Sequence, residues 1–201
     1  MKKNLKAFLL LLLSVSLSNC ASFSNKDFKN EYRKITKSEI NSLNGKYSFF
    51  PIKKFDKKNG NSNYEISKNI INSYSYTTND ILKFEDQDSI QNIHTLYSVE
   101  LKITNDTELN IELFKNNYSV KKQQIKGKLK KDGLFYLDNK YLKCTGIPYL
   151  FGGCSNNKRR IAISKSNTLM INEAVDNTGA LLFLFWAGPS YNSTYEFKRL
   201  E

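Results

Sequence analysis

Tyr97-Ser98-Val99-Glu100-Leu101-Lys102-Ile103-Thr104 alternates apolar and polar side chains at every step. Successive side chains of an extended chain point to opposite faces, so a period of two marks a strand with one dry and one wet face. Asn105-Asp106-Thr107 supplies turn chemistry, after which Leu109, Ile111 and Leu113 resume the alternation. Asn116-Asn117 turns the chain back into Tyr118 and Val120. Ile125, Gly127 and Leu129 then fall on the other parity, which requires a bulge or a change of face between them. Asp132-Gly133 is a hairpin signal ahead of a strand at 134–137, and Asp138-Asn139 leads into 140–144. Stretches at 159–163, 169–171, 181–186 and 194–199 complete the series, with turn residues at 166–167, 176–179 and 188–192.

Short strands at this spacing joined by short turns predict a mainly β fold built as an antiparallel meander. About eight to ten strands must hide their edges. Closure into an up-and-down barrel does so, and a β-sandwich is the alternative. Leu181-Leu182-Phe183-Leu184-Phe185-Trp186 is apolar on both parities, which predicts a strand buried on both sides.

Upstream, Thr36-Lys37-Ser38-Glu39 has the spacing of a capping box, and Ile40 and Leu43 share one helical face before Gly45. A short helix over 36–44 is expected. Lys46-Tyr47-Ser48-Phe49-Phe50 opens the first strand, which Pro51 confines to an edge or an early stop. Residues 55–63 read as a loop by composition, and 64–82 carry both helical and strand patterns.

The chain opens with Lys2, Lys3 and Lys6 and then an apolar run of roughly ten residues, the n-region and h-region of a secretory signal. The run is shorter than the ~20 residues that span a bilayer. Its end, Leu17-Ser18-Asn19-Cys20, resembles the lipobox of bacterial lipoproteins, with Asn19 in place of the usual Gly, Ala or Ser. That resemblance implies a signal peptide at 1–19, removed before Cys20, and acylation of Cys20 on its thiol and its new amine. It implies an exported protein of the cell envelope held on a membrane by its lipid. Ala21 and Ser22 in place of an Asp after the Cys point to the outer membrane of a diderm cell. Residues 20–33, polar and without periodicity, then read as the lipidated Cys and a flexible tether to a single β-rich domain over 34–201.

The formal charge is +12, and +9 once the three leader lysines are gone. In the cytosol this would suggest a nucleic-acid partner, but export and the lack of a nucleic-acid module exclude that reading. Solvated lysines or an anionic membrane surface fit better. Lys126, Lys128 and Lys130 share one strand face, and Arg159-Arg160 could hold an anionic group. With Cys20 acylated, Cys144 and Cys154 remain, bracketing a nine-residue stretch that export would let a disulfide close.

No catalytic site, metal site or cofactor motif emerges. His94 is the sole histidine, and no serine lies in a G-x-S-x-G frame. Gly152-Gly153 lacks the surroundings of a nucleotide fingerprint. The order of helix, Gly45-Lys46-Tyr47 strand and meander resembles the lipocalin or calycin architecture, without the tryptophan usual there. The stretches 146–161 and 179–182 also resemble small bacterial lipoproteins of no assigned function. Two functions therefore stand open. In one, Tyr47, Phe49, Tyr97, Phe183, Phe185, Trp186 and Tyr195 line an interior that takes a small apolar or amphipathic ligand. In the other, the same residues fill a core, and the domain is a structural or assembly partner of other envelope proteins.

Overall fold

The computed structural model describes residues 21–24, 26, 28–56, 60–63, 71–82, 96–147, 151–181 and 185–201. The strands, in chain order, are β1 (Tyr32–Arg33), β2 (Gly45–Ser48), β3 (Lys53–Asp56), β4 (Gly60–Asn63), β5 (Tyr97–Asn105), β6 (Glu108–Lys115), β7 (Tyr118–Leu129), β8 (Phe135–Leu137), β9 (Tyr141–Ile147), β10 (Phe151–Ser164), β11 (Leu169–Leu181), β12 (Phe185–Ala187) and β13 (Ser190–Phe197). A 3₁₀ helix at Lys37–Leu43 and the helix α1 (Ser73–Thr78) complete the described elements. The fold is mainly β, and its registered strand pairs are antiparallel.

The opening alternation behaves as its pattern dictates. Val99, Leu101 and Ile103 of β5 pair with Leu113, Ile111 and Leu109 of β6, and all six are buried. Asn116 and Asn117 have φ of 51° and 64°, the paired left-handed residues of a tight hairpin. The parity change in β7 is a bulge. Phe114 faces Ser119 while Leu113 faces Lys121, so Val120 is the extra residue. Tyr118 and Val120 are therefore exposed, and Ile125 and Gly127 turn inward. Gly127 is needed there because a Cβ would stand 2.3 Å from the Phe135 ring.

The contacts divide into two compact units. The larger holds 23–140, 158–174 and 192–201; the smaller holds 141–157, 175–191 and, among the described N-terminal residues, Ala21 and Ser22. β10 and β11 contribute residues to both units.

In the larger unit the strands neighbour one another in the order β2-β5-β6-β7-β8-β10-β11-β13-β3-β4, and β1 pairs with β10. These ladders trace an open path and do not close into the expected ring. At the free edge of β2 the chain end supplies isolated bonds in place of a ladder. Ser48 N donates to Lys198 O at 2.8 Å, Leu200 N donates to Lys46 O at 2.7 Å, and Tyr47 forms a single bridge with Arg199. The expected strand 46–50 stops at Ser48; after Pro51 the chain resumes as β3 against β13. The expected loop 55–63 contains the β3–β4 hairpin, a polar pairing that composition hides.

Two apolar clusters hold this unit. The main one joins Tyr47, Phe49, Val99, Leu101, Leu109, Ile111, Ile161, Ile163, Leu169, Ile171 and Phe197 with Ile40 and Leu43 of the 3₁₀ helix. Thr36 and Glu39 form the expected capping box at that helix. Full burial of each Leu, Ile or Phe is worth about 1.5–3 kcal/mol. The second cluster lies on the opposite parity of β10 and β11: Ala162 and Met170 meet Phe28, Phe55 and Leu134. Two-sided burial thus belongs to 161–164 and 169–175.

Phe28, within the stretch expected as a tether, is packed. It is 1% exposed, β1 pairs with the end of β10, and Arg160 Nη2 donates to Ser24 O at 3.2 Å. Covering the outer apolar face of β10 and β11 requires this segment, so packed chain begins well before residue 34.

In the smaller unit β9 pairs with the first half of β10, and the end of β11 pairs with β12. The turn expected at 176–179 is strand; of the strand expected at 181–186, residues 182–184 lie outside the described residues, and Leu181 pairs with Phe185.

Candidate functional site

Among the described residues, Tyr47, Phe49, Tyr97 and Tyr195, expected to line a pocket, pack into the core of the larger unit. Tyr47 and Phe49 have no solvent exposure and Tyr195 is 4% exposed. The Phe49 ring lies 5.2 Å from Tyr97 and 5.0 Å from Phe50, and Tyr195 lies 5.1 Å from Tyr76. Tyr47, Phe49 and Tyr195 thus belong to one core, with half-buried Tyr97 packed against it. Phe185 and Trp186 belong to β12 in the smaller unit. Phe183, Cys20, the leader and His94 lie outside the described residues.

A polar group sits within this apolar setting. Arg159 and Glu173 occupy the parity of β10 and β11 that elsewhere supplies Ile161, Ile163, Leu169 and Ile171. Both are buried, with Arg159 Nε and Nη2 donating to Glu173 Oε1 at 3.0 and 2.7 Å. The Arg159 guanidinium stands 5.2 Å from the Tyr76 ring centroid. Burial drives the Tyr76 hydroxyl far above its ordinary pKa, and the Glu173 charge and Tyr195 push the same way. Arg159 Nη1 is buried without a hydrogen-bond partner. The sequence signal for this group is a charge on the inward parity of each strand, which the adjacent Arg159-Arg160 pair masks.

Outside, where the short β8 leaves β7 and β10, lies an open groove. Lys126, Lys128, Lys130, Lys140 and Lys158 line it, with Asp138 the only carboxylate among its lining residues. The even positions of β7 point outward, which presents three of these lysines together. Tyr136 and Phe23 form its apolar part, with ring centroids 5.3 Å apart. Lys130 Nζ sits 3.8 Å from the Tyr136 centroid. Arg159 also lines this groove.

Arg160 is engaged in holding structure together. Its Nε donates to Asn172 Oδ1 and its Nη1 to Tyr136 Oη, both at 2.8 Å, and Phe23 stacks 4.3 Å from the guanidinium. Burial raises the Tyr136 hydroxyl, and its bond to Asp132 adds to that rise. The outer face of β5–β7 offers a second groove of different character, in which Glu100, Lys102, Glu112 and Lys122 mix both signs. Lys122 there is paired with Glu112 at 2.8 Å.

In the smaller unit Cys144 and Cys154 face each other in the β9–β10 register and are joined by a disulfide with Sγ atoms 2.08 Å apart. The described residues between them are strand on both sides, up to Ile147 and from Phe151. Comparison with protein-family models, curated proteins and solved structures finds no match.

Proposed function

We propose that this chain is an exported, lipid-anchored protein of the cell envelope whose β domain acts through its outer surface. In this reading it is a structural or assembly partner of other envelope components and works by binding, with no chemistry of its own. The observation that carries this is the filled interior. Tyr47, Phe49, Leu101, Leu109, Ile161, Ile171 and Phe197 each have no exposure and pack in one cluster. A ligand carrier would need these same side chains to line a void.

A small barrel is the finer architecture we favour. The bonds from Lys198 and Leu200 to β2, beside the β13–β3 ladder, support closure by the C-terminal segment. Eight strands leave room inside for side chains and little else, which agrees with a solid core. The anchor rests on Cys20, which follows the leader as the lipobox requires, and the outer membrane is the destination we favour.

Two measurements test this. Metabolic labelling with a palmitate analogue should mark the chain and leave Cys20→Ala unlabelled; label on the variant would overturn the anchor. Native mass spectrometry of the domain purified from its envelope should show the bare polypeptide mass plus the anchor. A stoichiometric apolar ligand surviving delipidation would overturn the surface reading in favour of a carrier.

A further inference from the structure

We propose that the basic groove on β7 and β8 lies flat against an anionic phospholipid surface and sets the orientation of the anchored domain; this rests on the lipid-anchor reading above. The recognised chemistry is the phosphate of the lipid headgroup. Three observations place the membrane on this face.

The first is charge. Some lysines elsewhere on the larger unit are paired: Lys122 with Glu112, Lys121 with Asp80, Lys37 with Asp106. In the groove, Lys126, Lys128 and Lys140 have no ion-pair partner among the described residues, and Asp138 is the sole acid among the lining side chains. Each lysine brought to an anionic leaflet favours binding roughly fivefold, so three amount to roughly a hundredfold.

The second is the place of the anchor. Phe23 lines the groove, and Cys20 precedes it by three residues. Three residues reach at most about 11 Å. Acyl chains on Cys20 would by this reach lie within about 11 Å of Phe23.

The third is how Phe23 and Ser24 are held. Phe23 packs on Tyr136 and over the Arg160 guanidinium, and Arg160 Nη2 bonds to Ser24 O. The chain leading from the anchor is thereby fixed to the groove. An anchor on a loose tether would let any face meet the lipid, whereas this one presents the lysines.

The test uses the full chain reconstituted in phosphatidylcholine vesicles with and without phosphatidylglycerol, probed by amine-reactive footprinting and peptide mass spectrometry. On the anionic vesicles Lys126, Lys128 and Lys140 should label severalfold less than on neutral ones. Lys102, Lys165 and Lys198, exposed on other surfaces, should label equally on both. The combined Lys126→Gln, Lys128→Gln and Lys140→Gln variant should lose the composition dependence at Lys130 and Lys158 while staying on the vesicles. Unchanged labelling of the groove lysines on anionic vesicles, or equal protection of all six, would overturn the proposal. So would protection by free inorganic phosphate with none from vesicles. The anchor is read separately, as retention on neutral vesicles through a high-salt wash. A chain that washes off them yet keeps groove protection on anionic ones would overturn the anchor and leave this face standing.

Discussion

Arg199 clamps Tyr47. Its Nη2 donates to Tyr47 Oη at 2.6 Å, and the same guanidinium donates to Ser42 O and Asn44 O, each at 2.6 Å. Tyr47 in turn donates to Leu43 O at 2.9 Å. The last carbonyls of a helix lack intrahelical partners, and here one side chain from the chain end satisfies several of them. Arg199→Ala should cost about 2–3 kcal/mol, the scale of a charged hydrogen-bond donor lost from part-buried acceptors. Urea unfolding reads the loss, and hydrogen exchange should quicken first in 45–48. Arg199→Lys should recover only part of it, because an ammonium cannot reproduce the planar fork.

Tyr47 also carries a pH dependence. Burial raises its hydroxyl pKa to about 12, with Arg199 opposing. The folded state therefore holds this proton more tightly than the unfolded chain, whose tyrosine titrates near 10. The associated stability is complete below pH 10 and is lost as the pH rises toward 12. Two pKa units correspond to about 3 kcal/mol. Urea midpoints measured from pH 9 to 12 should fall over that window, and Tyr47→Phe should flatten the fall.

The Arg159–Glu173 pair has a different sensitivity. Removing one partner leaves a buried charge uncompensated, which costs about 3–5 kcal/mol. Arg159→Met and Glu173→Leu should each lower stability by that order, and the double variant should regain most of it. A double variant as unstable as the sum of the singles would mean the two residues do not act as a pair. Denaturant melts of the four proteins give the coupling directly.

How much of this was legible depends on where alternation was pure. Val99 to Ile103 and Leu109 to Leu113 could be read because each has one wet and one dry face. The bulge at Val120 left its mark as a parity change. Pattern failed where both faces are dry: Ala162 and Met170 look like ordinary small and flexible core residues until Phe28 is placed on them. It failed again at β3–β4, whose polar residues resemble a loop. The groove was half visible, because outward Lys126, Lys128 and Lys130 lie on one strand, whereas Lys140 and Lys158 join them only through the sheet order.

Phe28 makes the covering segment testable. Phe→Ala in a packed cluster costs about 3–5 kcal/mol, so Phe28→Ala should free the segment from β10 and β11. Limited proteolysis should then cut within 21–33 in the variant and spare it in the parent. Val120→Ala serves as the control, since that side chain is 52% exposed and its loss should leave the cleavage pattern unchanged.

The disulfide should matter locally. Tyr141, Leu142, Lys143, Cys144 and Thr145 are all exposed, so this half of the β9–β10 hairpin buries little apolar surface. A two-stranded hairpin with so little to bury is marginal by itself. The staple between Cys144 and Cys154 closes a loop of sequence separation 10, which on the chain-entropy account is worth about 2–3 kcal/mol. That contribution is spent on the hairpin alone, because the larger unit has its own two clusters. Cys144→Ser with Cys154→Ser should therefore speed amide exchange at 141–147 and 151–157 by tenfold or more. Exchange in β5 and β6 should stay at parent rates, and the urea midpoint of the main transition should barely move. A midpoint that falls with the bridge would show that the hairpin and the core unfold as one.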